Sequence, residues 1–268
     1  MSADTLVNGL AGDAVSAADR GLHYGDGLFE TIACRDGRAR WLPLHLARLH
    51  RGCARLGIEP PPDAILGREI GTLAADHAAC IVKLILSRGI ARGRGYRPSG
   101  DEVPTRVLSR HAWPAAPPSW RLGLSPVRLG ENPHLAGLKH LNRLEQVLAQ
   151  RERPRELDEV VMQSYSGEVV SGSMSNLFLV EGEQLVTPAL ERCGVEGVMR
   201  RLVLESAPAA GWRISVEAVS LARLRAAGTL FMTNVRLGLL PVASFEERDY
   251  AVDARLRRLR ELIDARAG

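Results

Sequence analysis

Two kinds of hydrophobic periodicity alternate along the first third of the chain. Residues 28–34 (LFETIAC) and 80–89 (CIVKLILSRG) are rich in β-branched and aliphatic side chains and each runs into a turn, which predicts strands. Residues 42–58 instead carry apolar side chains at every third or fourth position, which predicts an amphipathic helix. A second helix is predicted over 60–78, where the pattern resumes after a run of prolines.

The rest of the chain repeats this mixture beyond a proline-rich segment at 114–119, which we predict to be a linker. Strands are predicted over 120–129, near 158–163 and 176–181, and over 212–220 and 228–235, with a helix over 197–211. This mixture favours the α+β class. We therefore predict two lobes, a small N-terminal lobe over 1–113 and a larger C-terminal lobe over 120–268.

The segment 137–150 (GLKHLNRLEQVLAQ) combines a lysine with a predicted helix. Apolar side chains recur there at helical spacing, and we expect them to form a buried stripe. The stripe consists of Leu141, Leu144, Val147 and Leu148.

Lysine is rare in this chain, which makes its two positions informative. Lysine and arginine together number 35, yet only Lys83 and Lys139 are lysines. A guanidinium cannot be deprotonated in a protein, whereas a lysine amine can form an imine with a carbonyl. Lys139 precedes a helix and can point into a cleft. Lys83 lies inside an apolar strand, where a salt-bridged or snorkelling side chain accounts for it and its role stays open.

Charge and cysteine content exclude several classes of function. The net charge of +4 comes from basic residues scattered among acidic ones, which argues against nucleic-acid binding. The four cysteines are far apart and none is in a CxxC pair, which argues against a metal site and a disulfide framework and fits a reducing cytoplasm. No apolar run approaches the roughly 20 residues that span a bilayer. We expect a cytoplasmic protein with a small-molecule substrate and no membrane partner.

An imine-forming Lys139 points to pyridoxal phosphate, which also needs a turn that binds its phosphate. Residues 193–201 (CGVEGVMRR) offer one, because the amides of Val198 and Met199 open the next predicted helix. By itself this turn favours an ordinary glycine-containing helix start over a phosphate site. Further contacts to phosphate oxygens are available from Arg48, Thr233 and Asn234.

Six segments in order resemble the fold-type IV pyridoxal-phosphate enzymes, which include branched-chain and D-amino-acid aminotransferases and aminodeoxychorismate lyases. The segments are ADRGLHYGDGLFETI, HLARL, SRG…RGY, LSPVRLGENPHLAGLKHLNRLEQVLAQ, SNLFLV and GVEGVMR, and the resemblance extends from about residue 7 to 245. The resemblance implies a two-lobed fold with a barrel-like β core in the C-terminal lobe, an active site between the lobes and a homodimer. Residues 124–150 are most similar to the lyases, which implies conversion of 4-amino-4-deoxychorismate to 4-aminobenzoate and pyruvate.

The resemblance also implies roles for individual residues. Lys139 is the expected catalytic residue and forms the Schiff base with the cofactor. The other cofactor-binding residues are expected to be Arg48, Ser171, Asn176, Val198, Met199, Thr233 and Asn234. The expected substrate-binding residues are Tyr24, Arg92, Arg94 and Tyr96, because guanidinium and phenol groups bind carboxylates.

Ser171 departs from the family pattern. The segment before SNLF normally carries a glutamate that faces the pyridine nitrogen, and here it reads EVVSGSMSNLF with Ser171 at that position. A serine hydroxyl can donate to an unprotonated nitrogen, which leaves the ring a weaker electron sink. This suits an elimination better than a transamination. The alternatives are a D-amino-acid or branched-chain aminotransferase, or a binding protein that has lost catalysis.

Overall fold

The computed structural model describes residues 4–91, 93–115 and 117–267. Contacts divide the chain into two units. The first runs to Pro114 and also takes up Leu138–Asn142, and the second consists of Ala115–Gly137 and Arg143–Ala267. Leu138–Asn142 therefore groups with the first unit, although the division at 114–119 had placed it within 120–268.

The first unit contains an antiparallel sheet of six strands in the order β2-β1-β6-β5-β3-β4. The strands are β1 (Thr5–Val7), β2 (Leu10–Ala11), β3 (Gly27–Arg35), β4 (Arg38–Ala39), β5 (Ala79–Ser87) and β6 (Thr105–Ala112). The helices are α1 (Arg20–Tyr24), α2 (Leu42–Leu56) and α3 (Asp63–Ala74). The strands predicted over 28–34 and 80–89 and the helices predicted over 42–58 and 60–78 are thereby confirmed.

The core of the first unit lies between one face of its sheet and the apolar faces of α2 and α3. Leu28 and Ile32 of β3 belong to this core together with Leu49 of α2. Because side chains alternate across a strand, Glu30 lies on the same face as Leu28 and Ile32, and Phe29 lies on the other. A carboxylate is thus placed inside an apolar layer, where it requires partners.

The second unit contains a mixed sheet of ten strands. Its order is β12-β11-β10-β14-β15-β7-β8-β9-β13, with β16 paired to β15. The strands are β7 (Trp120–Leu124), β8 (Glu159–Gln163), β9 (Glu168–Gly172), β10 (Asn176–Glu181), β11 (Gln184–Pro188), β12 (Arg213–Glu217), β13 (Val219–Ser220), β14 (Thr229–Asn234), β15 (Gly238–Phe245) and β16 (Arg248–Asp249). The helices are α4 (Leu144–Glu152), α5 (Val198–Ser206), α6 (Leu221–Ala226) and α7 (Arg255–Asp264), with a 3-10 helix at Ala207–Ala210. Together the two units confirm the α+β class.

The middle of this sheet is fixed by aromatic packing. Phe178 of β10 and Phe231 of β14 are opposite each other in the ladder, are fully buried and stack with ring centroids 4.9 Å apart. In the same ladder Asn176 is opposite Thr233. This pairing brings two polar side chains together at one end of the two strands.

The buried stripe predicted for 137–150 is wrong. The helix begins only at Leu144, and three of the four stripe residues are exposed: Leu144 to 76%, Val147 to 59% and Leu148 to 38%. Ala149 is the residue of α4 that is buried. Helical spacing groups side chains on one face, but it does not guarantee that the same chain covers that face.

None of the helices in the described ranges is long and apolar enough to cross a membrane.

Candidate functional site

Lys139 is positioned by pairing to the start of β3 and not by the helix that follows it. The amide of Phe29 donates to the carbonyl of Lys139 at 2.9 Å, and the amide of Leu141 donates to the carbonyl of Gly27 at 3.0 Å. Lys139 Nζ lies 4.2 Å from the centroid of the Phe29 ring, within the range of a cation–π contact. The backbone and the side chain of Lys139 are therefore both held by β3.

Lys83 approaches the same aromatic ring. It lies on β5, as predicted, and its Nζ is 5.6 Å from the centroid of Phe29. Both lysines of the chain are half-buried and share this one neighbour. The two residues that the sequence singles out are therefore close together in the first unit.

Glu30, His45 and Arg48 form a buried cluster in the same unit. Arg48 donates from Nε to Glu30 Oε1 at 2.7 Å and from Nη2 to Glu30 Oε2, which makes a two-bond fork. His45 Nδ1 lies 2.7 Å from Glu30 Oε2, and since a carboxylate only accepts, the histidine donates. The exposed fractions are 1% for Glu30, 0% for His45 and 6% for Arg48. The carboxylate thus balances the charge of Arg48 inside the core.

The electrostatics of this cluster fix its protonation. Burial raises the pKa of the Glu30 carboxyl. The charge of Arg48 and the hydrogen bonds from His45 and Arg48 together outweigh this effect and lower the pKa to about 2. Burial lowers the pKa of His45 below its usual range, and the hydrogen bond with Glu30 opposes this in part. The cluster is therefore an arginine cation, a carboxylate and a neutral histidine at neutral pH.

The predicted substrate-binding side chains of the first unit lie on α1 and on the loop after β5. The ring centroids of Tyr24 and Tyr96 are 5.4 Å apart. Tyr96 is 84% exposed, and Arg94 is exposed as well. Arg92, which was predicted to assist them, lies outside the described residues.

The second unit presents a helix start without a side-chain cap. Helix α5 begins at Val198, the residue predicted to open it, and its N-cap is Gly197. A Cβ atom on Gly197 would collide with Asn176 Oδ1, so glycine is required there. Asn176 is itself held by a bond from its Nδ2 to the carbonyl of Val195 at 2.9 Å. The first amides of α5, including that of Met199, therefore remain suited to an anion.

Two buried hydrogen-bond donors at the end of β14 have no partner among the described residues. Thr233 is 1% exposed, and neither its Oγ1 nor the buried Nδ2 of Asn234 has a hydrogen-bond partner in that part of the chain. Asn234 is oriented by its Oδ1, which accepts from the amide of Leu237 at 2.9 Å. Buried donors without partners are costly, so their persistence indicates a ligand rich in acceptor oxygens. A phosphate has this chemistry, and the donors of the second unit fit it.

Ser171 uses its hydroxyl proton within the chain. It lies on β9, is 8% exposed and donates from Oγ to the carbonyl of Gly172 at 2.8 Å. While this bond is in place, the Ser171 hydroxyl can act only as a hydrogen-bond acceptor towards a neighbouring group. Donation to an unprotonated ring nitrogen would require the bond to Gly172 to break.

Glu159 is a second fully buried carboxylate, one strand away on β8. Its Oε1 accepts from Ser173 Oγ at 2.6 Å and from Gln150 Nε2 at 3.1 Å. Its Oε2 accepts from Ser175 Oγ at 3.1 Å and from the amide of Met174 at 3.2 Å. Glu159 thereby holds the turn that connects β9 and β10.

The predicted residues fall into two groups. Those described in the first unit are Tyr24, Arg48, Arg94, Tyr96 and Lys139, and those in the second unit are Ser171, Asn176, Val198, Met199, Thr233 and Asn234. Sequence reasoning missed Glu30, His45 and Glu159. For Glu30 a signal was available, because it alternates with Leu28 and Ile32 on an apolar strand face.

Comparison with known proteins gives concordant results. The amino-transferase class IV family matches residues 27–245. An aminodeoxychorismate lyase from Vibrio harveyi is 38% identical over 255 residues, which are 92% of this chain and 93% of the relative. The crystal structure of 4-amino-4-deoxychorismate lyase from Pseudomonas aeruginosa is 42% identical with a TM-score of 0.91, and the match covers 97% of this chain and 98% of that chain. A putative branched-chain-amino-acid aminotransferase from Methanocaldococcus jannaschii is 29% identical over 243 residues, 87% of this chain and 83% of the relative.

Proposed function

Because the chain belongs to the amino-transferase class IV family, as its sequence predicts, we propose that it is a pyridoxal-phosphate-dependent lyase. Its reaction is the conversion of 4-amino-4-deoxychorismate to 4-aminobenzoate and pyruvate, a step towards folate. The observation that carries this proposal is the similarity to two lyases of this name over nearly the full length of both chains. The aminotransferase relative is less similar and is covered less completely.

Several residues of this chain would hold the cofactor. We propose that Lys139 Nζ binds it covalently and that the amides of Val198 and Met199 bind its phosphate. When bound, pyridoxal phosphate supplies an aldehyde that reacts with amines and a ring that withdraws electrons from the bond to be broken. The remaining proposed contacts are Arg48, Ser171, Asn176, Thr233 and Asn234, of which Thr233 and Asn234 contribute the unpartnered donors.

The side chains of the chain itself move the proton and hold the substrate. We propose that Lys139 Nζ, in its free amine form, takes the proton from the substrate carbon that carries nitrogen and so acts as general base. The bond between the neighbouring carbon and the enolpyruvyl oxygen breaks, and the electron pair of the lost C–H bond completes the aromatic ring. The departing enolpyruvate takes up a proton at its methylene carbon and becomes pyruvate, and aromatisation drives the elimination. Arg94, Tyr24 and Tyr96 bind the substrate carboxylates, and Arg92 is proposed to assist them.

The test combines activity with lysine mapping. Purified protein supplied with cofactor is expected to release pyruvate from 4-amino-4-deoxychorismate, and borohydride reduction is expected to tag Lys139. Lys139→Arg should abolish both, while Lys83→Arg serves as the matched control because it alters the only other lysine. Amino-group transfer from D-alanine or a branched-chain amino acid without pyruvate release would favour an aminotransferase. No cofactor tag at all would favour a binding protein.

We further propose a homodimer in the cytoplasm. The apolar face of α4, formed by Leu144, Val147 and Leu148, is exposed in the single chain, and a second copy of the same chain is the proposed occupant. All four cysteines are unpaired and buried, which suits a reducing compartment.

The dimer is tested by changing α4 alone. Val147→Glu should convert the protein to monomers in sedimentation experiments over a range of concentrations. Val252→Glu is the matched control, because Val252 is also 59% exposed and lies outside α4. Equal behaviour of the two variants would contradict the proposed interface.

A further inference from the structure

The side chain of Arg20 is buried on α1 and reaches the loop that follows β5. It is 4% exposed, donates from Nη2 to the carbonyl of Tyr96 at 2.7 Å and from Nη1 to the carbonyl of Gly95 at 3.3 Å. Its Nε donates to Asp26 Oδ2 at 2.8 Å. The planar fork of one guanidinium therefore joins a carboxylate of the fold to two carbonyls of the loop.

The backbone around Arg20 also holds the start of this loop. Its amide donates to the carbonyl of Gly89 at 2.8 Å, and the amide of Ala91 donates to the carbonyl of Ala18 at 3.0 Å. Gly89 has a φ of +106°, and a Cβ there would collide with the carbonyl of Val103, so the loop can leave β5 in this way only at a glycine. Arg20 thus contacts the loop at Gly89, near its beginning, and again six and seven residues later at Gly95 and Tyr96.

Asp26 gives Arg20 a rigid support. Asp26 also accepts from Arg88 Nε at 2.7 Å and from Arg88 Nη2 at 3.1 Å. Arg88 in turn donates to the carbonyls of Leu56 and Gly57 at the end of α2, both at 2.7 Å. The carboxylate is therefore fixed from two sides, and Arg20 is fixed by the carboxylate.

We infer that Arg20 is a positioning residue for substrate binding, which holds the loop carrying Arg94 and Tyr96 in place. This inference rests on the proposed function, in which those two side chains bind substrate carboxylates. The Arg20 guanidinium also lies 5.0 Å from the centroid of the Tyr24 ring, which in turn contacts the Tyr96 ring. A single side chain thus connects the proposed carboxylate-binding groups of α1 and of the loop.

The test uses two substitutions at Arg20 and one matched control. Arg20→Gln removes the cation and the fork, while Arg20→Lys keeps a cation for Asp26 but cannot also reach both carbonyls. Arg88→Gln is the control, because it removes the other arginine bound to Asp26, while its side-chain hydrogen bonds go to Asp26 and the end of α2 and not to Gly95 or Tyr96. Circular dichroism establishes whether each variant is folded. If Arg20→Gln does not fold, the test is made with Arg20→Lys alone.

Two readouts follow from the role in positioning. Trypsin cleavage at the Arg94–Gly95 bond, mapped by mass spectrometry, should be about tenfold faster in both Arg20 variants than in the wild type or Arg88→Gln. The KM for 4-amino-4-deoxychorismate should rise about tenfold, with kcat within about twofold and the visible cofactor band unchanged.

Each outcome decides one of the two proposals. The positioning role would be overturned if trypsin cleaved the Arg20 variants as slowly as the wild type or only as fast as Arg88→Gln. An unchanged KM in the Arg20 variants would overturn it as well. The cleavage measurement does not depend on lyase activity. Faster cleavage in a protein that releases no pyruvate would therefore support the hold of Arg20 on the loop and reject the proposed function.

Discussion

Replacing Glu30 with glutamine keeps the volume of the side chain and removes its charge. The structure then leaves the Arg48 guanidinium, 6% exposed, without the carboxylate that accepts its two hydrogen bonds. One of the two accepting oxygens becomes an amide donor facing another donor. Removing one partner of a buried ion pair costs about 3–5 kcal/mol of the free energy of unfolding. We expect Glu30→Gln to lie in this range.

The measurement is urea unfolding followed by circular dichroism, with the free energy compared at the wild-type midpoint. A loss of this size corresponds to a fall in the midpoint of about 1 M urea or more. Glu69→Gln is the matched control, because Glu69 binds Arg106 by a similar fork in the same unit but Arg106 is 18% exposed and can rehydrate. We expect the control to lose about 1 kcal/mol. Equal losses in the two variants would refute the argument from burial.

Three further predictions concern titration and buried hydrogen bonds. Because the pKa of His45 is lowered from 6.5 and that of Glu30 from 4.5 to about 2, the stability they provide is present at neutral pH. This stability is lost in two steps as the pH falls, first below about pH 6.5 as His45 takes up a proton and then between about pH 4.5 and 2 as Glu30 does. In a plot of the urea midpoint against pH, His45→Gln should therefore flatten the step below pH 6.5. Thr233→Val should weaken cofactor binding to the apoprotein about tenfold in an absorbance titration and leave the free energy of unfolding unchanged. Thr187→Val, which loses a hydrogen bond to the carbonyl of Leu177, should instead lower the free energy of unfolding and leave cofactor binding unchanged. Glu159→Gln should lower the free energy of unfolding by about 1–3 kcal/mol, and a thermal midpoint equal to that of the wild type would contradict the role given to its hydrogen bonds.

Local patterns predicted those elements whose burial is decided within one segment. The strand over 80–89 and the start of α5 at Val198 were read correctly, because alternation and a glycine before an apolar repeat are properties of the segment itself. The same reasoning failed for α4. Whether Val147 is covered depends on what packs over it, and no spacing within the helix contains that information.

The individual residues of the candidate site could be predicted from the sequence, but the contacts between them could not. Lys139 stands out as one of two lysines, yet its attachment to β3 depends on pairing across more than a hundred residues. The partnership of Glu30 with Arg48 likewise requires that α2 pack on the face of β3 that carries the carboxylate. Such contacts are products of tertiary packing, and a single sequence gives only the hint that a buried charge needs a partner.

The placement of both lysines on the ring of Phe29 has a practical side for anyone who attaches this protein to a support or a dye. Amine-directed coupling at lysine can occur only beside that ring, next to the residue proposed to carry the chemistry. The thiols offer no substitute, since all four are buried and burial raises the pKa of Cys34 to about 12 and that of Cys53 to about 11. Conjugation that preserves function therefore calls for a cysteine newly placed on the surface, and lysine acylation becomes a selective probe of this one region.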